Sequence, residues 1–222
     1  IALLAGLWPS LAALAAALAV SALVVALAGG NPVLALRALA EGAFGSLDGL
    51  SEVGVKTCPL LLTGVAVALA FRAGIWNIGA DGQLLLGAVA MAWLGTTMSA
   101  TPTWLALPLA LLASAVAGGL WAGVAAVLKL RRRVDEVIST IMLNFVAVGL
   151  LSYLVHGPLM EAAGTYPQSE AVGVAMRLPH LVEPFRIHAG LLVALAITAA
   201  AGILLFRTVV GYEMRAVGGN RQ

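Results

Sequence analysis

Residues 72–87, RAGIWNIGADGQLLLG, place an arginine, an asparagine, an aspartate, a glutamine and four glycines between the apolar runs 59–71 and 84–94. A carboxamide both donates and accepts hydrogen bonds. Asn77 and Gln83 are therefore neutral groups able to pair in either sense. In hydrocarbon such groups are costly unless they face protein or water. Gly74, Gly79, Gly82 and Gly87 let the backbone turn sharply and approach its neighbours. Two readings stand side by side. One is a helix break lining a translocation path, and the other is a plain turn whose polar groups are solvated.

Two further stretches carry polar groups. In VDEVISTIMLN, residues 134–144, Asp135 and Glu136 stand where a helix would begin and where carboxylates favour its positive end. Ser139, Thr140 and Asn144 follow inside the same apolar segment. Asn144 is a little over two turns past Glu136, so its amide is either interhelical glue or a contact facing a lumen. In RTVVGYEMRAVGGNRQ, residues 207–222, a polar, glycine-punctuated segment holds Glu213 and Arg215. It reads as an ordinary loop or as a docking element for a soluble partner. No G-x-x-x-x-G-K-[ST] is present for ATP hydrolysis, no H-E-x-x-H for zinc and no G-x-S-x-G for a nucleophile. His156, His180 and His188 are scattered, a poor metal set. Nothing suggests catalysis, a cofactor or nucleic-acid binding.

The elements that must position these residues belong to a bilayer. The chain is 62% hydrophobic and 10% charged, with a mean hydropathy of +1.04, against roughly 25% charged residues in a soluble domain. The single cysteine, Cys58, rules out an intramolecular disulfide and reads as a small core residue. Six apolar segments approach the length needed to cross: residues 11–28, 57–71, 84–98, 104–128, 136–155 and 188–206. All six are expected to be helical, because hydrocarbon offers no partner to an unpaired backbone group. Residues 33–56 mix charges with apolar residues and read as an interfacial or partly re-entrant helix. Residues 156–187 form a long loop. Residues 1–222 thus read as one transmembrane domain. The start without Met and the stop at Gln222 suggest a fragment.

Cations tend to stay on the cytoplasmic side. Placing KLRRRVDE there puts eight of the twelve inside: Arg72, Lys129, Arg131, Arg132, Arg133, Arg207, Arg215 and Arg221. The N-terminus, residues 129–135 and residues 207–222 are then cytoplasmic, and the 156–187 loop is external. Ala115, Gly119 and Gly123, four apart, form a small-residue stripe that would serve ordinary intramolecular helix packing or, as the rival reading, a subunit interface.

The segment Trp76-Asn77-Ile78-Gly79-Ala80-Asp81-Gly82-Gln83 resembles the F-N-I-G-A-E-G-Q hallmark of the permease family of bacterial ABC importers for nucleosides and simple sugars. Trp stands for Phe and Asp for Glu. VDEVISTIMLN is similar to that family's N-E-V-I-S-T-I-M-L-N, with Asp135 for Asn. GYEMRAVGGNRQ resembles its ATPase-contacting loop. The likeness runs from about residue 30 to the end and leans to the nucleoside branch.

The resemblance implies an all-α, multi-span bundle of the type II importer kind, similar to the vitamin B12 permease, apparently truncated after span six. It implies a transport subunit in the bacterial cytoplasmic (inner) membrane, not an enzyme, with no cofactor of its own because ATP is bound by a partner. The implied partners are an ABC ATPase, a second permease subunit (identical or different) and an external substrate-binding protein. It places Asn77, Gly79, Asp81, Gly82, Gln83 and Asn144 along the path. Arg131, Arg132, Arg133, Asp135 and Glu136 would form a cytoplasmic gate, and Gly211, Tyr212, Glu213, Arg215, Ala216, Gly218 and Asn220 the ATPase-coupling segment. A secondary transporter for a small polar solute and a non-conducting assembly subunit are the rival readings.

Overall fold

The computed structural model describes residues 2–98 and 101–219. Among them are eight α-helices and no strand: α1 (Ala2–Leu27), α2 (Pro32–Phe44), α3 (Leu47–Arg72), α4 (Ala80–Thr97), α5 (Thr103–Arg132), α6 (Glu136–Val155), α7 (Gly190–Arg207) and α8 (Val209–Gly219). Five are long and apolar enough to cross a bilayer: residues 8–27 of α1, and all of α3, α5, α6 and α7. That is one fewer than the six expected spans. The exception is α4, whose 18 residues rise about 27 Å and whose first turn carries Asp81 and Gln83. The chain is a multi-pass membrane protein.

Contacts divide the chain into two compact units, residues 1–56 with 180–187, and residues 57–179 with 188–222. In the first, the turn after α1 holds Gly29, whose φ of +81° is left-handed. Asn31 then caps α2, its Oδ1 accepting from the Val33 and Leu34 backbone N–H groups at 3.0 and 3.2 Å. The stretch 33–56 is not one interfacial helix: it divides into α2 and the opening turns of α3. Polar residues of those turns have partners distant in sequence. Buried Ser51 accepts the Arg186 N–H at 2.8 Å, and Glu52 pairs with the Arg186 guanidinium.

In the second unit α4 lies antiparallel to α5 and also packs on α6. The approach is close because glycines carry it. A Cβ on Gly87 would come within 2.9 Å of Ser114 Oγ, and one on Gly118 within 2.9 Å of the Gln83 carbonyl. The α5 face in contact is thus Ser114, Gly118 and Trp121, at helical spacing. The expected stripe one residue on does not pack there: Gly119 and Gly123 meet nothing within 4 Å. At the far end Ala106, Ala110 and Met176 form a buried cluster with Met91, Leu94, Met98 and Val172. The early loop is tied to itself, with Gln168 donating to Glu161 at 2.8 Å and the Ala162 N–H to Glu170 at 2.8 Å.

Gly118 and Gly119 differ in what a methyl would meet, so they form a matched pair. Gly118→Ala should lower the thermal midpoint in detergent micelles, because overpacking against a backbone carbonyl costs about 1–3 kcal/mol. Gly119→Ala should leave the midpoint unchanged or slightly raised through helix propensity. Equal midpoints for the two variants would contradict this packing.

Candidate functional site

The helix pair α3–α4 is interrupted over residues 73–79, the heart of the stretch met first in the sequence. Gly74 takes φ +77°, and the chain re-enters helix only at Ala80. A break in low dielectric exposes backbone groups that must find partners. Helix α6 supplies them. The Asn144 Nδ2 donates to the Ile78 carbonyl at 3.0 Å, and its Oδ1 accepts the Gly82 N–H at 2.9 Å. One turn earlier, Thr140 Oγ1 accepts the Ile78 N–H at 3.3 Å and donates to the Glu136 carbonyl at 2.6 Å. Asn77 closes its own turn, its Oδ1 accepting from Gly79 N–H at 2.9 Å and from Gln83 Nε2 at 3.1 Å. Phe71 and Trp76 stack with ring centroids 5.3 Å apart.

Gly79 and Gly82 are buried where other side chains would clash. A Cβ on Gly82 would lie 2.9 Å from Asn144 Oδ1, 3.1 Å from Trp121 Nε1 and 3.2 Å from Ala147 Cβ. Trp121 Nε1 is the one buried side-chain polar atom without a partner among the described residues. Asp81 is exposed in the first turn of α4.

Beside the junction is a cavity of about 380 Å³. Ile75, Asn77 and Gln83 line it from the junction, Thr140 and Glu136 from α6, and Lys129 from α5. Its remaining walls are apolar, mostly alanine. Lys129 and Glu136 pair at 2.8 Å across the α5–α6 turn, with Glu136 only 17% exposed. That turn is built by Arg133 at φ +55° and by Asp135, which caps α6 through the Val137 and Ile138 N–H groups at 2.8 and 3.2 Å. Arg131, Arg132 and Arg133 are exposed. Asn77 and Gln83 thus meet in the cavity wall. Asn144 does not line it; both ends of its amide meet the junction instead.

The segment after α7 is helical, not a loop. Thr208 is extended, and its Oγ1 accepts the Gly211 N–H at 3.1 Å, capping α8. Gly211 and Gly218 sit against backbone: a Cβ on Gly211 would collide with the Leu204 and Leu205 carbonyls, and one on Gly218 with the Arg72 carbonyl. Arg215 turns inward with them and its guanidinium carbon stands 5.3 Å from the Phe206 ring centroid. Tyr212, Glu213 and Ala216 face outward. Asn220 and Arg221 lie outside the described residues. Thr140 and Lys129 stood in stretches the sequence already marked, but their partners did not show there. Trp121 and Phe206 did not stand out in the sequence at all, because their roles depend on tertiary neighbours.

The family described as branched-chain amino acid transport system / permease component matches residues 49–222. The glucose ABC transporter permease protein of Haloferax volcanii is 41% identical, covering 92% of this chain and 56% of that protein. The guanosine ABC transporter permease protein NupP of Bacillus subtilis is 36% identical, covering 92% and 59%. A nucleoside ABC transporter permease protein of Lactococcus lactis is 27% identical, covering 86% and 55%. The chain thus spans a little over half the length of these curated relatives. No solved structure matches it.

If Asn144 is the clamp of the junction, Asn144→Leu strands the Ile78 carbonyl and the Gly82 N–H together, at about 1–3 kcal/mol for each buried group. Thr140→Val strands the Ile78 N–H alone and gives up the hydroxyl's bond to the Glu136 carbonyl, and should cost about 1–2 kcal/mol. The thermal midpoint should fall in the order wild type, Thr140→Val, Asn144→Leu; an Asn144→Leu variant as stable as wild type would remove the clamp role.

Proposed function

The chain belongs to the branched-chain amino acid transport system / permease component family, and on that premise we propose that it is a permease subunit of an ATP-binding-cassette importer for nucleosides or simple sugars. The observation that carries the reading is the arrangement at one end of the second unit. There α8 is seated on the α3–α4 junction, presenting Tyr212, Glu213 and Ala216 outward, and the junction forms a wall of the cavity. A cytosolic ATPase subunit docks on that outward face. Its nucleotide cycle biases the permease between outward- and inward-facing states, to the extent that it binds them differently.

Asn77 and Gln83 are the polar groups we assign to the path. Gly79, Gly82 and Asn144 shape the junction that carries them, and Asp81 opens α4 beside them. The turn with Arg131, Arg132, Arg133, Asp135 and Glu136, joined to Lys129, is the gate at the cytoplasmic end. We count α4, which packs on α5 and α6, as the sixth crossing; the cation bias then puts the N-terminus inside, in a bacterial cytoplasmic membrane. The architecture is of the type II importer kind, paired with a second permease subunit and fed by an external binding protein. ATP is bound by the partner, and this chain needs no cofactor.

The test is ATP-dependent uptake of labelled guanosine and glucose into proteoliposomes holding the permease pair and its ATPase, with binding protein outside. Uptake that needs ATP supports the reading. Uptake driven by an ion gradient without the ATPase would make the chain a secondary transporter, and assembly without flux would make it a structural subunit. Tyr212→Ala should weaken ATPase co-purification about tenfold, or roughly 1.4 kcal/mol, since an exposed tyrosine is a favoured anchor.

A further inference from the structure

Among the described residues, Lys129 and Glu136 are the only charged groups in the cavity wall. They stand 2.8 Å apart on consecutive helices, the carboxylate mostly buried. Every other wall group is a neutral amide, a hydroxyl or an apolar side chain. The cavity is therefore charge-neutral. Its surroundings are not. Residues 129–136 carry four cations against two carboxylates. Arg131, Arg132 and Arg133 are exposed and do not line the cavity, and none has an ion pair among the described residues. Such a cluster draws anions toward the turn.

Lys129 is the next cation an anion would find. An ammonium has three donors and binds phosphate oxygens well. A bare one set among alanines would bind them more strongly than at the surface, because water screens it less. Glu136 removes that attraction. Its carboxylate lies so close to Lys129 Nζ that an anion beside one is beside the other, and repulsion offsets attraction. The anion would then surrender water with nothing to compensate its charge. A neutral solute escapes this penalty. The spare ammonium donors and the free carboxylate oxygen can pair with hydroxyl and N–H groups.

We propose that Glu136 is a specificity-determining residue: by neutralising Lys129 it bars phosphate monoesters from the cavity while neutral solutes enter. This rests on the reading of the cavity as part of the solute path. It gives the ion pair a role in selection besides joining α5 to α6. Nucleosides and sugars differ from their phosphorylated forms by the charge that this pair rejects.

Glu136→Gln tests it, because the amide keeps the shape and an acceptor for Lys129 but removes the charge. Titration calorimetry on the full-length permease in detergent, at fixed ionic strength, reads the balance with inorganic phosphate and guanosine 5′-monophosphate. Glu136→Gln should bind both about tenfold more tightly than wild type, the scale of one hydrogen bond to a charged group. Adding Lys129→Met to Glu136→Gln should abolish the gain, since no cation is left in the wall. In proteoliposomes, luminal guanosine 5′-monophosphate should inhibit ATP-dependent guanosine uptake by Glu136→Gln and not by wild type.

Should Glu136→Gln not fold, Lys129→Gln is the mirror case. It leaves the carboxylate bare and should bind methylammonium about tenfold more tightly than wild type. Equal phosphate binding by wild type and Glu136→Gln would overturn the proposal, as would equal methylammonium binding by wild type and Lys129→Gln. A gain that survives loss of Lys129 would also overturn it and place the anion on Arg131, Arg132 and Arg133. Tighter phosphate binding by Glu136→Gln with no ATP-dependent uptake by wild type would keep the charge balance and reject the importer reading.

Discussion

A break in a membrane helix is tolerable only if something other than water pairs the released backbone groups. That constraint organises the second unit. The turn after Arg72 leaves the Ile78 N–H and carbonyl and the Gly82 N–H without helical partners, and one face of α6 answers all three through Thr140 and Asn144. The side chains are neutral, as they must be. An aspartate at 144 would lack the donor for Ile78, and an aliphatic residue would lack both groups. The position of α6 against α4 follows from these bonds as much as from apolar packing.

The same demand accounts for the glycines. Asn144 reaches the Gly82 N–H because no side chain stands between them, and α5 reaches Gln83 because Gly118 has none either. Lipid offers helices no hydrophobic reason to associate, so close contact and hydrogen bonding must hold them together. Here the two coincide at the polar end of α4. The helix is thereby too polar to span on composition alone, yet it is the one that α5 and α6 pack on. Its apolar end closes with the methionine-rich cluster around Ala106 and Ala110.

The apolar segments were legible because the bilayer imposes length and helicity directly: 136–155 coincides with α6, and 104–128 and 188–206 fall close to α5 and α7. Two features were not. The start of α3 looked unlike a span because Asp48, Ser51, Glu52 and Lys56 are polar, and Ser51 and Glu52 find Arg186 about 135 residues away, a pairing no local pattern reveals. Residues 209–219 looked like a loop because glycine usually punctuates. In α8 two of those glycines serve instead as points of backbone approach, a use with the same letter and the opposite meaning. The polarity of 72–87 was plain, but whether it was solvated or clamped depended on Asn144, over 60 residues on.

Once the junction is clamped, little hydrogen-bonding capacity remains for anything that enters the cavity. The Asn77 oxygen already accepts two bonds, and Gln83 faces Asn77 in return. Thr140 is committed to Glu136 and Ile78, while Lys129 and Glu136 use one N–H and one oxygen on each other and keep further donor and acceptor positions. What remains are spare amide positions and the charged pair, set in alanine, isoleucine and leucine walls. On the proposed reading a solute would meet a surface that holds it weakly, and conduction requires that a solute be able to leave as well as enter.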